Sequence, residues 1–129
     1  MMTNAITMAM CAILSVESHN GADTRTGDGG RAVGHFQIWP IAVSEANRVE
    51  RIMARQENRK ARRWTIADRK CPVKSRQMCE ATMLWHYRRG VTDTVRLACR
   101  WRNPYSADNA GYKDRVIKTI KTEMESENQ

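Results

Sequence analysis

The chain has 129 residues, 41% of them hydrophobic and 28% charged, and a formal net charge of +8. That length fits one domain over residues 1–129, and the composition is that of a soluble globular protein with its own core. The basic balance favours polyanionic partners, namely nucleic acid, anionic lipid or bacterial cell wall, without choosing among them.

The N-terminal stretch Met1–Ser18 has no Lys or Arg, and Thr3, Asn4, Thr7 and Ser15 interrupt its apolar run. It therefore does not read as a signal peptide, and it is too short and polar to cross a bilayer. Residues 4–18 read as a helix that Thr3 or Asn4 can cap. Ile6, Met10, Ile13 and Glu17 recur at helical spacing, so an acid ends an apolar stripe. Residues 19–35 hold five of the seven glycines, which is turn chemistry with room for a short hairpin. Phe36–Ile38 is briefly apolar, and Pro40 limits its continuation.

Residues 41–63 read as a second helix with an apolar face of Ile41, Val43, Ala46, Val49, Ile52 and Met53. From Arg48 to Arg76 the chain places eleven bases against Glu50, Glu57 and Asp68, so its excess charge is concentrated there. Cys71-Pro72 marks a break. Helices follow over 75–89, which Gly90 ends, over 92–102 and over 112–122. Residues 103–111 form a loop, and the polar tail 123–129 is expected to fray. The fold class is mainly α: a compact helical domain with a small Gly-rich loop or hairpin after the first helix.

Cys11, Cys71, Cys79 and Cys99 form no CxxC pair, which argues against zinc-ribbon and thioredoxin-like sites. Cys71 and Cys79 suit a bridge in an oxidising compartment; the other reading is four reduced, mostly buried thiols. The three histidines lack metal spacing, and no metal or organic cofactor is expected. His19 and His35 flank the Gly-rich segment, as loop residues or as ligand contacts. Among the four tryptophans, Trp85 is expected in the core and Trp39 beside a groove.

Glu17 is the residue most suited to chemistry. Apolar neighbours and the negative end of a helix dipole both disfavour a carboxylate, so its pKa is expected to rise. A carboxyl group still protonated near neutral pH serves as a general acid. The bland alternative is a helix-end carboxylate in water.

The surrounding residues shift the balance towards the first. Glu17-Ser18-His19 leads to Gly27-Asp28-Gly29-Gly30 and then to Gly34-His35-Phe36-Gln37-Ile38. Further on, Leu97–Pro104 precedes Gly111-Tyr112-Lys113-Asp114-Arg115-Val116. This order resembles the goose-type lysozyme and lytic transglycosylase superfamily, over about residues 10–40 and 75–118. The resemblance implies an α+β lysozyme-like fold and cleavage of the β-1,4 bond between N-acetylmuramic acid and N-acetylglucosamine in peptidoglycan. It makes Glu17 the proton donor. Ser18 would support the helix end or touch sugar, and Gln37 and the Gly34 backbone would line the cleft. Tyr112 would approach the catalytic carboxylate, and Asn103 would bind an N-acetyl group. Asp28 is the second carboxylate, holding water as a base or serving only as a turn residue. Goose-type enzymes often carry another acid just after the Gln-aliphatic pair, where this chain has Trp39. Without a base, the substrate's N-acetyl group assists and a 1,6-anhydro sugar results.

The implied protein is a monomer whose partner is the glycan strand of peptidoglycan, and its size suits a bacteriophage endolysin or virion-associated enzyme. Two rivals stand beside it. One is a basic nucleic-acid-binding domain, for which eleven bases offer phosphate contacts, although no RNP-like or finger spacing supports it. The other is a member of the same superfamily that binds wall sugars without cutting them.

Overall fold

The computed structural model describes residues 3–23, 25–102 and 110–127, and leaves the side chains of Asp28, Arg102, Ala110, Ser126 and Glu127 outside the description. Its helices are α1 (Asn4–Ser18), α2 (Pro40–Gln56), α3 (Pro72–Arg88), α4 (Thr94–Arg102) and α5 (Ala110–Glu127). The chain is mainly α, as its periodicity requires. None of the described helices is long and apolar enough to cross a membrane.

Helix α1 begins where Thr3 Oγ1 accepts the Ile6 amide at 3.2 Å, a side-chain cap that satisfies one of the free first-turn donors. Ile6, Ala9, Met10, Ala12 and Ile13 are all buried, so the stripe read from sequence is the core face. The helix stops at His19, which takes a left-handed conformation at φ 49°.

Helices α2 and α3 both carry proline at the first helical position. There the missing N–H costs nothing, so Pro40 and Pro72 start helices; neither is a simple interruption. Helix α2 ends at Gln56, well short of residue 63, because the chain must turn back. Asn58 has φ 53°, and the two guanidinium groups of Arg59 and Arg62 return to Glu50. At the other end of the molecule α5 continues to Glu127, where a fraying tail was expected from 123.

Glu50 is fully buried on the core face of α2. Arg59 donates to both its oxygens at 3.0 and 3.1 Å, and Arg62 adds its backbone N–H at 2.8 Å and its side chain at 2.9 and 3.2 Å. Burial pushes the Glu50 carboxyl up, but the hydrogen bonds from Arg62 and Arg59 outweigh it and hold the pKa at about 2. Arg48, Arg69 and Lys74 are also engaged, with Glu45, with backbone carbonyls and with Asp68. Five of the eleven bases, Arg48, Arg59, Arg62, Arg69 and Lys74, thus bind groups of the fold itself.

The Gly-rich segment forms two isolated antiparallel bridges, Gly27 with Ala32 and Val33 with Ile38, around a single 3-10 turn at Asp28–Gly30. Arg69 Nη1 fastens this segment by donating to the carbonyls of Arg31 and Ile38 at 2.8 and 3.0 Å. Gly34 lies against the same turn at φ 83°, where a Cβ would collide with the Arg69 carbonyl oxygen. Trp101 Nε1 donates to the Phe36 carbonyl at 2.9 Å and ties the segment to α4.

Helix α1 packs against α3, α4 and α5, whereas α2 packs against α3 and the 3-10 turn Ile66–Lys70. All four cysteines are free. Cys71 caps α3 and Cys79 is buried eight residues along it, about 12 Å at the helical rise and beyond disulfide reach.

Candidate functional site

A groove of about 1110 Å³ opens between these two packing groups. Its lining comes from four helices and the Gly-rich segment. Helix α1 gives Glu17, and the end of the Gly-rich segment gives Gln37, Ile38 and Trp39. One face of α2 adds Ile41, Ala42, Glu45 and Arg48. Thr82, Trp85, His86 and Arg89, at spacings of three, one and three, add the facing side of α3, and Arg100 and Trp101 add α4.

Glu17 is half-buried at the C-terminal end of α1. Behind it sit two buried acids that feel its charge. Tyr112 is 1% exposed. Its phenol is pushed well above the ordinary tyrosine range, by burial first and then by the charge of Glu17 and a hydrogen bond with it. The Cys79 thiol is likewise pushed up by burial, with Glu80 and Glu17 adding to the effect. Tyr112 therefore lies on the inner side of Glu17.

Ser18 is fully buried. Its hydroxyl donates to the Leu14 carbonyl at 3.1 Å and accepts the Gly21 amide at 3.0 Å. Of the two roles expected of it, it fills the support of the helix end. Gly34 also serves packing, through its approach to Arg69, and it is buried away from the lining. Gln37 does line the groove, while its Nε2 donates to the carbonyls of Gly34 and Arg25 at 2.9 and 3.1 Å. It holds the wall in shape as well as facing the space.

Asp28 has its backbone in the 3-10 turn, and its side chain lies outside the described residues, as does Asn103. His19 and His35 are absent from the lining among the described residues; the His35 ring packs over Gly21. Trp39 borders the groove as expected and has the Arg31 guanidinium over its ring at 5.4 Å. Trp85 packs on the core as expected and lines the groove as well.

Sequence reasoning missed four residues of consequence: Glu45, Arg48, His86 and Arg89. Glu45 is a second carboxylate in the same groove as Glu17. Arg48 binds it with Nε to Oε2 at 3.0 Å and Nη2 to Oε1 at 2.5 Å. That bond holds the Glu45 carboxyl below its ordinary range against the opposing effect of partial burial. The spacing of Ile41, Glu45 and Arg48 along α2 was the available signal, since it defines a face distinct from the buried one. Among the described residues no group of three His, Cys, Asp or Glu side chains is placed to hold a metal ion.

Comparison with known proteins yields no match: no family model, no curated protein and no solved structure is similar to this chain.

Proposed function

We propose that the protein is a muramidase that cleaves the β-1,4 bond between N-acetylmuramic acid and N-acetylglucosamine, with Glu17 as the general acid. The observation that carries this reading is the placement of Glu17. It projects from a helix end into a groove with Trp39, Trp85 and Trp101 in its walls, backed by the buried Tyr112 phenol. A volume of about 1110 Å³ exceeds the ~300–1000 Å³ of ordinary small-ligand pockets and suits an oligomer. Aromatic faces in such a groove offer apolar surface to sugar rings.

In the proposed reaction Glu17 delivers its proton to the glycosidic oxygen as the C–O bond breaks. The Tyr112 hydroxyl orients the carboxyl group from the buried side. Hydrolysis then requires a water at the anomeric carbon, activated by a carboxylate; internal attack by the sugar's own C6 hydroxyl, whose proton passes to the Glu17 carboxylate, gives the 1,6-anhydro product instead. Glu45, kept ionised by Arg48, adds a carboxylate in the groove to the Asp28 candidate for holding water.

The test is digestion of purified peptidoglycan by wild type and by Glu17→Gln, with mass spectrometry of the products. Release of muropeptides by wild type alone supports the reading. Anhydro products are lighter than reducing ones by one water, so the same spectra distinguish transglycosylation from hydrolysis. Equal release by Glu17→Gln removes the catalytic assignment, and binding without any release by wild type moves the protein to a wall-binding role.

A further inference from the structure

We infer that Arg89, held over the Trp85 ring beside Arg48, forms a subsite for a carboxylate carried on the glycan chain. The inference rests on the muramidase reading and names what that groove recognises beyond neutral sugar. Two guanidinium groups lie over the Trp85 ring, Arg48 from α2 at 5.4 Å and Arg89 from the end of α3 at 5.1 Å. All three side chains line the groove. The forked N–H donors of Arg48 are engaged by Glu45, whereas the Arg89 guanidinium has its own fork of donors to offer. That fork is the part which matches a carboxylate.

The charge balance of the groove points the same way. Its described lining carries three arginines, Arg48, Arg89 and Arg100, against the two glutamates Glu17 and Glu45. Arg48 is held by Glu45 through both carboxylate oxygens, and Arg89, which follows α3, is exposed where Arg100 is half-buried, so it is the more accessible cation for an incoming anion. His86, in the same lining, responds to this field. Its imidazole is pushed below the ordinary histidine range by burial and then by the charges of Arg100 and Arg89, partly opposed by Glu45. A site that disfavours one more cation favours an anion.

Peptidoglycan offers two carboxylates of this kind: the lactyl group of muramic acid once its peptide is removed, and the acidic groups of the peptide itself. Three glycans separate the cases. A neutral N-acetylglucosamine oligomer carries no carboxylate, amidase-stripped strands carry lactyl carboxylates, and solubilised intact strands carry peptide carboxylates. Their affinities are read by intrinsic tryptophan fluorescence, for which Trp85 is a built-in reporter.

For wild type, at least one acidic glycan binds about tenfold more tightly than the neutral oligomer, as hydrogen bonds to charged groups provide. The preference shrinks as salt is added. Which acidic glycan leads identifies the source of the carboxylate. Arg89→Gln reduces the preference to about twofold or less, while Arg89→Lys keeps part of it. Arg89 is exposed, so an unchanged thermal midpoint is expected for both variants and confirms that they are folded. Equal binding of acidic and neutral glycans by wild type overturns the subsite and leaves the muramidase reading standing. A preference that survives Arg89→Gln also overturns it. Failure of wild type to bind any of the three overturns both.

Discussion

The two walls of the groove are built by opposite means. On the α1 side, Ile6, Ala9, Met10 and Ile13 bury an apolar stripe against α3, α4 and α5, and the acid Glu17 is carried at its end. On the α2 side, the core face itself contains a charge, Glu50, and the loop that follows the helix is folded around it by Arg59 and Arg62. The first wall depends on water exclusion and tolerates changes of pH and salt. The second depends on a fully hydrogen-bonded buried ion, stable only while every partner is present. The difference teaches that the proposed acid is mounted on the chemically indifferent side. Conditions that ionise or neutralise groups in the groove need not disturb the helix that positions it.

Substitutions on the two walls test this contrast. The largest effect concerns chemistry. Glu17→Gln is expected to reduce peptidoglycan cleavage by about 10²–10⁴-fold with little change in thermal stability, the range attributed to general acid catalysis. Retained cleavage would show that the α1 wall is scaffold only.

Next comes the charged wall. Glu50→Ala leaves two arginines facing a buried void and is expected to cost about 3–5 kcal/mol in urea-induced unfolding. A loss below about 1 kcal/mol would mean that the pair is solvated and that the walls do not differ in kind.

The same group sets an acid sensitivity. The Glu50 pKa is about 2 in the fold against an ordinary value of 4.5. A depressed carboxylate stabilises the fold fully above its unfolded pKa and loses that contribution as pH falls from about 4.5 towards 2. The contribution at neutral pH is about 3 kcal/mol. Unfolding midpoints measured between about pH 7 and pH 2.5 should fall for wild type and fall less for Glu50→Gln. Parallel curves would place the acid sensitivity elsewhere.

Gly34→Ala is expected to cost about 2 kcal/mol, from positive φ and the collision with the Arg69 carbonyl. Hydrogen exchange should show the loss in residues 27–38 first. The smallest effect is that of Trp101→Phe, which removes the Nε1 donor to Phe36 and should cost about 1 kcal/mol. A change in the α2 loop with either variant would show that the two walls are coupled.

How much of this was legible in the sequence follows from what each signal reports. Helix α1 was read to the residue, because a capping Thr3, a clean 3.6-residue stripe and a following turn all agree. Helix α2 was overrun, because arginines are good helix formers and nothing local marks Gln56 as an end. The turn is imposed from Glu50, a partner 9 to 12 residues away. The buried glutamate was itself visible, since it falls on the same stripe as Val43, Ala46 and Met53.

In the candidate site, Glu17 was singled out from local pattern, Gln37 from the family resemblance and Trp39 as a groove residue, and each borders the groove. Glu45, Arg48, His86 and Arg89 were not. A polar face looks the same in sequence whether it meets water or another helix across a groove, and only the packing of α2 on α3 distinguishes the two. Ser18 and Gly34 were read as binding residues, but their positions are explained by backbone needs: a helix end to be tied and a carbonyl to be approached.

Cys79 gives the molecule a clock. It lies fully buried on α3 within the electrostatic reach of Glu17, and burial keeps its thiol protonated, hence unreactive, while the helices stay together. Cys11, on the exposed side of α1, remains open to reagent throughout. The ratio of alkylation at the two positions therefore times how often the ground beneath Glu17 comes apart, without any substitution in the chain.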